Sequence, residues 1–194
     1  MARRLGQVPE IRIQTIDPDA VRPERDYVLY WMIAQRRARW NFALQRAGDW
    51  CRELGKSLVV LEALRCDYAW CSHRLHRFFL DGMADNARWI RGRGVLYYPY
   101  VEPQRGAGKG LLAALAKRAS IVVTDDYPCT FVPRMVSAAA AQIDTALEVV
   151  DSNGLLPLRA AEAVFPAAYA FRRFLQRALP PHLAALMQTN INVQ

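Results

Sequence analysis

The chain has 194 residues, 53% of them hydrophobic and 23% charged, and a formal net charge of +8. These proportions are typical of one globular domain, and apolar runs as short as residues 58–61 exclude a membrane span. Arg3 and Arg4 near the start are not followed by the apolar run and cleavage site of a secretory signal, so we expect a cytoplasmic protein. Four cysteines without a C-x-x-C pair agree with free thiols in that compartment.

Nearly all of the excess positive charge comes from arginine. A strongly basic surface favours a polyanionic partner such as nucleic acid. A GC-rich genome that encodes arginine wherever a surface cation is tolerated gives the same composition. Charge therefore leaves both interpretations open.

The chain opens with a polar segment and then turns strongly apolar. Residues 1–25 read as an N-terminal arm with a short β-like stretch at Ile11, Arg12 and Ile13. Residues 27–32 form a continuous apolar run, which is typical of a strand buried on both faces of a parallel sheet. Apolar residues at helical spacing follow from Trp40 to Leu54, and Gly55 ends that helix.

The same cycle of strand and helix then repeats. Further apolar strands are predicted at 58–61, 95–98, 121–123 and 146–150, and helices are predicted at 75–90, 111–119 and 135–142. Strands that alternate with helices in this way imply right-handed crossovers. The sequence therefore predicts an α/β fold: a doubly wound, Rossmann-like five-stranded parallel sheet with helices on both faces.

In such sheets ligands bind beyond the carboxyl ends of the strands. Arg36, Arg37 and Arg39 with Trp40 follow the first strand, where they could contact phosphates or stack on a planar ligand, or simply lie in solvent. Asp125 and Asp126 follow the fourth strand, where they could hold Mg²⁺ or accept a ligand hydrogen bond. N-capping and loop solvation ahead of Pro128 are favoured for that pair.

Two short motifs carry weaker signals. Residues 106–110 resemble a phosphate-binding loop, but Pro103 and Gly110 stand where a P-loop has glycine and Ser or Thr. A flexible loop that starts a helix is favoured. Cys66, Cys71, His73 and His76 lie close together, yet their spacing departs from zinc-site patterns, so no metal site is expected. No Ser-His-Asp or Cys-His arrangement for nucleophilic catalysis can be assembled.

After Asp151 the pattern changes to an aromatic helix, predicted from residue 166 to residue 178. Its apolar surface exceeds what a terminal helix needs, which favours docking against a further domain. Packing back onto its own sheet is the alternative.

The order of several segments resembles class II DNA photolyases, members of the photolyase/cryptochrome superfamily. The similar segments cover roughly residues 26–178, in order and at consistent spacing. They are YVLYWM (27–32) with QR (35–36) and WNxAL (40–44), LVV (58–60), RxHRF (74–78) with DGM (81–83), VVTDD (122–126), VDSN (150–153) and AYxFR (168–172).

The resemblance implies an N-terminal α/β domain of a deoxyribodipyrimidine photolyase, a lyase that repairs cyclobutane pyrimidine dimers in DNA by light-driven electron transfer from FAD. It divides the chain into an arm (1–25), this domain (26–153) and a linker helix (154–194) leading toward a helical FAD-binding domain beyond this sequence. FAD and contacts to UV-damaged DNA would belong to the full-length protein. We therefore carry no catalytic residue over to this chain and expect it to be inactive alone.

Within this domain, related proteins can hold a light-harvesting antenna chromophore of the deazaflavin or folate type. Sheet geometry gives Arg36, Trp40, Asn41 and Asp125 as its candidate contacts. A free-standing nucleotide-binding or regulatory α/β module is the alternative function. A basic nucleic-acid-binding module is a third.

Overall fold

The computed structural model describes residues 8–16 and 20–183. The strands are β1 (Ile13–Ile16), β2 (Tyr27–Met32), β3 (Ser57–Leu64), β4 (Val95–Val101), β5 (Ala119–Asp126) and β6 (Leu147–Asp151). The α-helices are α1 (Phe42–Leu54), α2 (His73–Ile90), α3 (Leu111–Ala116), α4 (Val132–Ala140), α5 (Ala168–Ala178) and α6 (Pro180–Leu183). Short 3₁₀ helices cover Glu10–Arg12 and Leu158–Ala160.

The strands form one six-stranded sheet in the order β1-β6-β5-β2-β3-β4. The pairs among β2 to β6 are parallel, as predicted. The predicted count of five was wrong, because β1 adds an antiparallel edge strand whose Ile13 pairs with Val150 of β6. Its four residues show the exposure of an edge rather than the continuous apolar run of a central strand.

Helices cover both faces of the sheet, as predicted. On one face α1 and the end of α2 bury Phe42, Leu44 and Ile90 against the sheet. On the other face α3 and α4 bury Ala116 and Val136. The doubly wound α/β fold is therefore confirmed.

Local capping explains where the helices begin and end. Asn41 accepts a hydrogen bond from the backbone N–H of Leu44 and so caps α1. Gly55 ends α1 in the left-handed conformation, at a φ of 64°, as predicted. Ser72 caps α2 through the N–H of Leu75. Because each of these helices starts just after a strand, its first turn lies at the carboxyl end of the sheet.

The segment after β6 stays bound to the sheet edge as far as Arg159, which contacts Asp126, and then leads into the exposed helix α5. No residue of α5 is buried, and Phe165 contacts the rings of Phe171 and Phe174 at centroid distances of 5.3 and 4.9 Å. The alternative in which this helix packs back onto the sheet is thus not what the described residues adopt. The boundaries 1–25, 26–153 and 154–194 remain predictions, and residues 184–194 lie outside the described part. No helix within 8–16 and 20–183 is long and apolar enough to cross a bilayer.

Candidate ligand-binding edge of the sheet

The five parallel strands end along one side of the sheet, which we call the carboxyl edge. It is formed by the loops that follow these strands, at residues 33–41, 65–72, 102–110, 127–131 and 152–157. Four of the five loops lead into helices α1 to α4. The strand order places the loops after β2 and β5 side by side, where the chain switches direction across the sheet. Doubly wound domains bind ligands at such a switch point.

At the switch point a buried carboxylate holds the loop after β2. Oδ2 of Asp125 accepts hydrogen bonds from the backbone N–H groups of Ile33, Ala34 and Gln35 at 3.0, 2.8 and 2.9 Å. Successive N–H groups that point at one oxygen form an anion-binding nest. Asp125 is fully buried, and this burial raises its pKa although the hydrogen bonds favour its ionised form. The nest is therefore filled by the protein's own anion.

Asn41 belongs to the same buried network. The hydroxyl of Tyr30 donates to Oδ1 of Asp125 at 2.7 Å, and Nδ2 of Asn41 donates to Tyr30 at 2.9 Å. Asn41 Nδ2 also lies 2.9 Å from the carbonyl oxygen of Gln35. Burial and the neighbouring Asp125 raise the pKa of Tyr30 well above its ordinary value. Two predicted site residues, Asn41 and Asp125, are thus brought together, with their polar atoms committed to the protein.

The glycine-rich loop has a similar internal anion. Oε1 of Glu102 accepts from the N–H groups of Gly106 and Gly108 at 2.9 and 3.4 Å. Its Oε2 accepts from the N–H of Cys66 at 3.1 Å. The hydrogen bond from the Cys66 N–H leads the effects that lower the pKa of Glu102. This loop precedes α3, as predicted, and Glu102 ties it to the loop after β3.

The same corner brings together groups that could ligate a metal. Ligand atoms of Cys66, Asp67 and Glu102 lie within 4.8 Å of one another. Asp67, however, is paired with Arg65 at 3.2 Å and with Arg105 at 2.7 Å. Burial, followed by the bond to Glu102, raises the pKa of the Cys66 thiol, which disfavours the thiolate that a metal needs. These contacts account for the cluster without an ion, and it differs from the cysteine and histidine set weighed from sequence.

Arg36 lies apart from the Asp125 network, above the end of β3. Its Nε is 3.0 Å from Oε1 of Glu62, and its guanidinium lies 4.8 Å from the ring centroid of Phe79. Glu62 is 1% exposed and also accepts from Tyr97 at 2.6 Å and from Asn86 at 2.9 Å. This ion pair holds the arginine in place on the loop after β2.

Three buried polar atoms in this region have no hydrogen-bond partner among the described residues. They are Nη2 of Arg36, Oη of Tyr68 and Nε2 of His76. The rings of Tyr68 and His76 touch edge to face at a centroid distance of 5.5 Å. Phe79, against which Arg36 packs, lies three residues after His76 on α2, so Arg36 lies close to this pair of rings. Burial raises the pKa of Tyr68. Buried polar groups are normally paired, so unpaired ones at a sheet edge indicate a place for a polar ligand group.

Trp40, the remaining predicted site residue, is half exposed. It has a positive φ of 53°, and its carbonyl accepts from Nε of Arg37. Its ring makes no aromatic or cation–π contact among the described residues. The structure thus separates the predicted set into a buried framework (Asn41 and Asp125) and two side chains with free surface or free polar atoms (Arg36 and Trp40).

Sequence reasoning missed Tyr68 and Glu102. A signal was present for Glu102, because a carboxylate directly after an apolar strand and ahead of a glycine-rich loop can accept that loop's N–H groups. Tyr68 lies in a loop without a pattern, and only the fold brings it to His76 and Arg36.

The comparisons point to one family of enzymes. No family model matches the chain. Over 150 residues it is 29% identical to a deoxyribodipyrimidine photo-lyase of Methanothermobacter thermautotrophicus. The match covers 77% of this chain and 33% of the relative, so the chain spans about a third of that protein's length. This distant similarity supports the photolyase family.

The edge does not suit every cofactor that this family implies. FAD carries a pyrophosphate, which doubly wound domains hold on free backbone N–H groups. Here the N–H groups after β2 and in the glycine-rich loop are occupied by Asp125 and Glu102. The same occupancy gives a nucleotide-binding module no support at these loops. The unpaired polar atoms of Arg36, Tyr68 and His76, in contrast, carry no hydrogen bond from the described residues.

Proposed function

We propose that the chain is the N-terminal, antenna-type α/β domain of a class II deoxyribodipyrimidine photolyase. The full-length flavoprotein would repair cyclobutane pyrimidine dimers in UV-damaged DNA by light-driven electron transfer from FAD. The observation that carries this proposal is the 150-residue similarity to a photolyase, of which the matched region covers 33%, on a doubly wound fold. Residue order in the segments from 27 to 172 supports the class II assignment.

The contacts at the carboxyl edge support an assignment of FAD to another domain and of the antenna chromophore to this one. Because its backbone nests hold the protein's own carboxylates, FAD would bind in a helical domain outside this sequence, and this chain alone would not repair DNA. Arg36, Tyr68 and His76 would hold an antenna chromophore of the deazaflavin or folate type through polar groups on its ring. Trp40 would offer a ring for stacking, and Asn41 and Asp125 would keep the loop in place. When bound, the chromophore would supply absorbed light energy to the flavin.

The proposal is tested by titrating the 194-residue protein with a deazaflavin and a reduced folate and following fluorescence anisotropy. We expect saturable binding of one of them. Tyr68→Phe should weaken it, because it removes only an unpaired hydroxyl. Tyr98→Phe removes the hydroxyl of an exposed residue on β4 and serves as the matched control with unchanged affinity.

Two results would contradict the proposal. Failure of both chromophores to bind would remove the antenna assignment. Light-dependent reversal of pyrimidine dimers by the 194-residue protein alone would show that the chemistry does not lie in another domain.

A further inference from the structure

Three loops of the carboxyl edge have an unusual backbone. Among the residues that the structure describes, the only non-glycine positions with positive φ are Trp40 (53°), Trp70 (69°) and Thr130 (62°). They lie in the loops after β2, β3 and β5, respectively. Such conformations strain residues that carry a Cβ and persist where the surroundings or a function demand them.

These strained positions present large aromatic rings to solvent. Trp40 is 51% exposed and Trp70 is 86% exposed, and Thr130 directly precedes Phe131, which is 59% exposed. None of the three rings contacts another ring or a cation in the described parts of the chain. Burial of the rings therefore does not offset the strain, which points to a role outside the fold.

The rings come from adjacent strands. In the sheet β5 pairs with β2, and β2 pairs with β3. Neighbouring strands lie about 4.8 Å apart, so the three strand ends fall within about 10 Å of one another. The loops that carry Phe131, Trp40 and Trp70 thus follow one another along the middle of the carboxyl edge.

Each ring has an exposed arginine close to it in sequence. Arg39 precedes Trp40, Arg74 lies in the first turn of α2 after Trp70, and Arg134 lies in the first turn of α4 after Phe131. None of these arginines forms an ion pair with a described carboxylate. Unpaired cations alternating with free aromatic faces are the chemistry by which proteins hold phosphates and stack unpaired bases.

We propose that this row of Trp40, Trp70 and Phe131, with Arg39, Arg74 and Arg134, binds single-stranded nucleic acid. The three rings lie in three different loops, so a ligand that uses all of them must extend across these loops, as a strand of nucleic acid does. Duplex would satisfy the arginines but leave the rings unused, because its bases are already stacked. The inference goes beyond the antenna function, since it needs neither a chromophore nor light.

The test measures binding of labelled oligo(dT), oligo(rU) and a duplex, each of about 12 nucleotides per strand, by anisotropy over a range of salt concentrations in the dark. The wild-type chain should bind single strands more tightly than duplex. The triple variant Trp40→Ala, Trp70→Ala, Phe131→Ala should bind them at least about tenfold more weakly. As a matched control, Leu96→Ala, Tyr98→Ala, Tyr169→Ala removes exposed apolar side chains elsewhere and should leave affinity unchanged. The two single-stranded probes separate a DNA preference from an RNA preference.

Variants that remove the charge of the three arginines test whether these side chains contact phosphates. Removing three phosphate contacts with Arg39→Gln, Arg74→Gln, Arg134→Gln should reduce the slope of log K against log salt by about 2. Lys56→Gln, Arg91→Gln, Lys117→Gln makes the same change in net charge at the opposite edge and should not alter the slope. Equal affinity of the aromatic variant and the wild type, or equal affinity for single strands and duplex, would overturn the proposal. Trp40 belongs to both proposed sites, whereas Trp70 and Phe131 belong only to this one, so the antenna assignment is judged by the titration of the Tyr68→Phe variant and not by these results.

Discussion

Single carboxylates determine what the carboxyl edge can bind. Asp125 and Glu102 each accept backbone N–H groups that a bound phosphate would otherwise use. Since both are at most 5% exposed, an incoming anion would have to displace a buried charge. Arg36 is different, because its ion pair with Glu62 leaves Nη2 unpaired. These three side chains therefore make the carboxyl edge a better site for a polar ring substituent than for a nucleotide phosphate.

Asp125→Asn tests whether this carboxylate holds the loop after β2. The amide can still accept the N–H groups of the loop after β2, but its NH₂ would then face the hydroxyl of Tyr30, which already accepts from Asn41. One buried polar group is left unsatisfied, so we expect a loss of about 1–3 kcal/mol in the free energy of unfolding. Urea unfolding followed by circular dichroism measures it.

The control for Asp125→Asn is Asp85→Asn, which removes an exposed helical carboxylate and should change the free energy of unfolding by no more than about 0.5 kcal/mol. If Asp125→Asn lowered the free energy of unfolding by as little as Asp85→Asn does, the carboxylate of Asp125 would not hold the loop after β2.

The predictability of these residues differs for a physical reason. Asparagine ahead of an apolar helical pattern is a common N-cap, so the place of Asn41 is readable from local sequence. The role of Asp125 depends on N–H groups about 90 residues earlier in the chain. Only the pairing of β2 with β5 brings them together, and no local pattern encodes it.

Among the elements, the central strands and their helices were predictable because burial on both faces requires continuous apolar runs. Strand β1 was missed as a sheet member because Gln14 and Thr15 are exposed and its pairing is antiparallel. The loops between elements were the least predictable part, since the left-handed conformations of Trp40, Trp70 and Thr130 have no signature in residue type.

Trp70 allows the strain of such a loop to be measured. At a φ of 69°, glycine has no Cβ to clash, whereas alanine retains the clash at about 1 kcal/mol. Both substitutions remove the same exposed ring. We therefore expect Trp70→Gly to be more stable than Trp70→Ala by about 1 kcal/mol in chemical unfolding.

Phe78 provides the comparison, because it is an exposed aromatic residue within α2. There glycine is the poorer residue, so Phe78→Gly should be less stable than Phe78→Ala by about 1 kcal/mol. The difference in stability between the glycine and alanine variants should thus have opposite signs at residues 70 and 78. The same order at both positions would show that the loop after β3 is not strained at Trp70.

In the molecule as a whole, one buried arginine connects the segment before β1 with the segment after β6. Arg12, 1% exposed, lies 3.4 Å from Oδ2 of Asp151 and donates to the carbonyl oxygens of Gly154 and Leu155 at 2.9 and 2.7 Å. Its guanidinium also lies 4.5 Å from the ring centroid of Phe42. The residues just before β1 thereby fix the direction in which the chain leaves β6, and with it the start of the segment that carries α5.

Arg12→Met keeps much of the apolar stem but leaves the carboxylate of Asp151 buried without its cation. Removing one partner of a buried pair is strongly destabilising, so we expect a loss of about 3–5 kcal/mol in the free energy of unfolding. Arg159→Met is the control, because Arg159 pairs with Asp126 from a side chain that is 32% exposed and should contribute less. Limited proteolysis should also cut the 154–183 segment faster in the Arg12 variant, since two carbonyl anchors are lost. If both variants unfold at the same denaturant concentration and are cut at the same rate, the exit of the chain from β6 is fixed by packing of the sheet edge and not by Arg12.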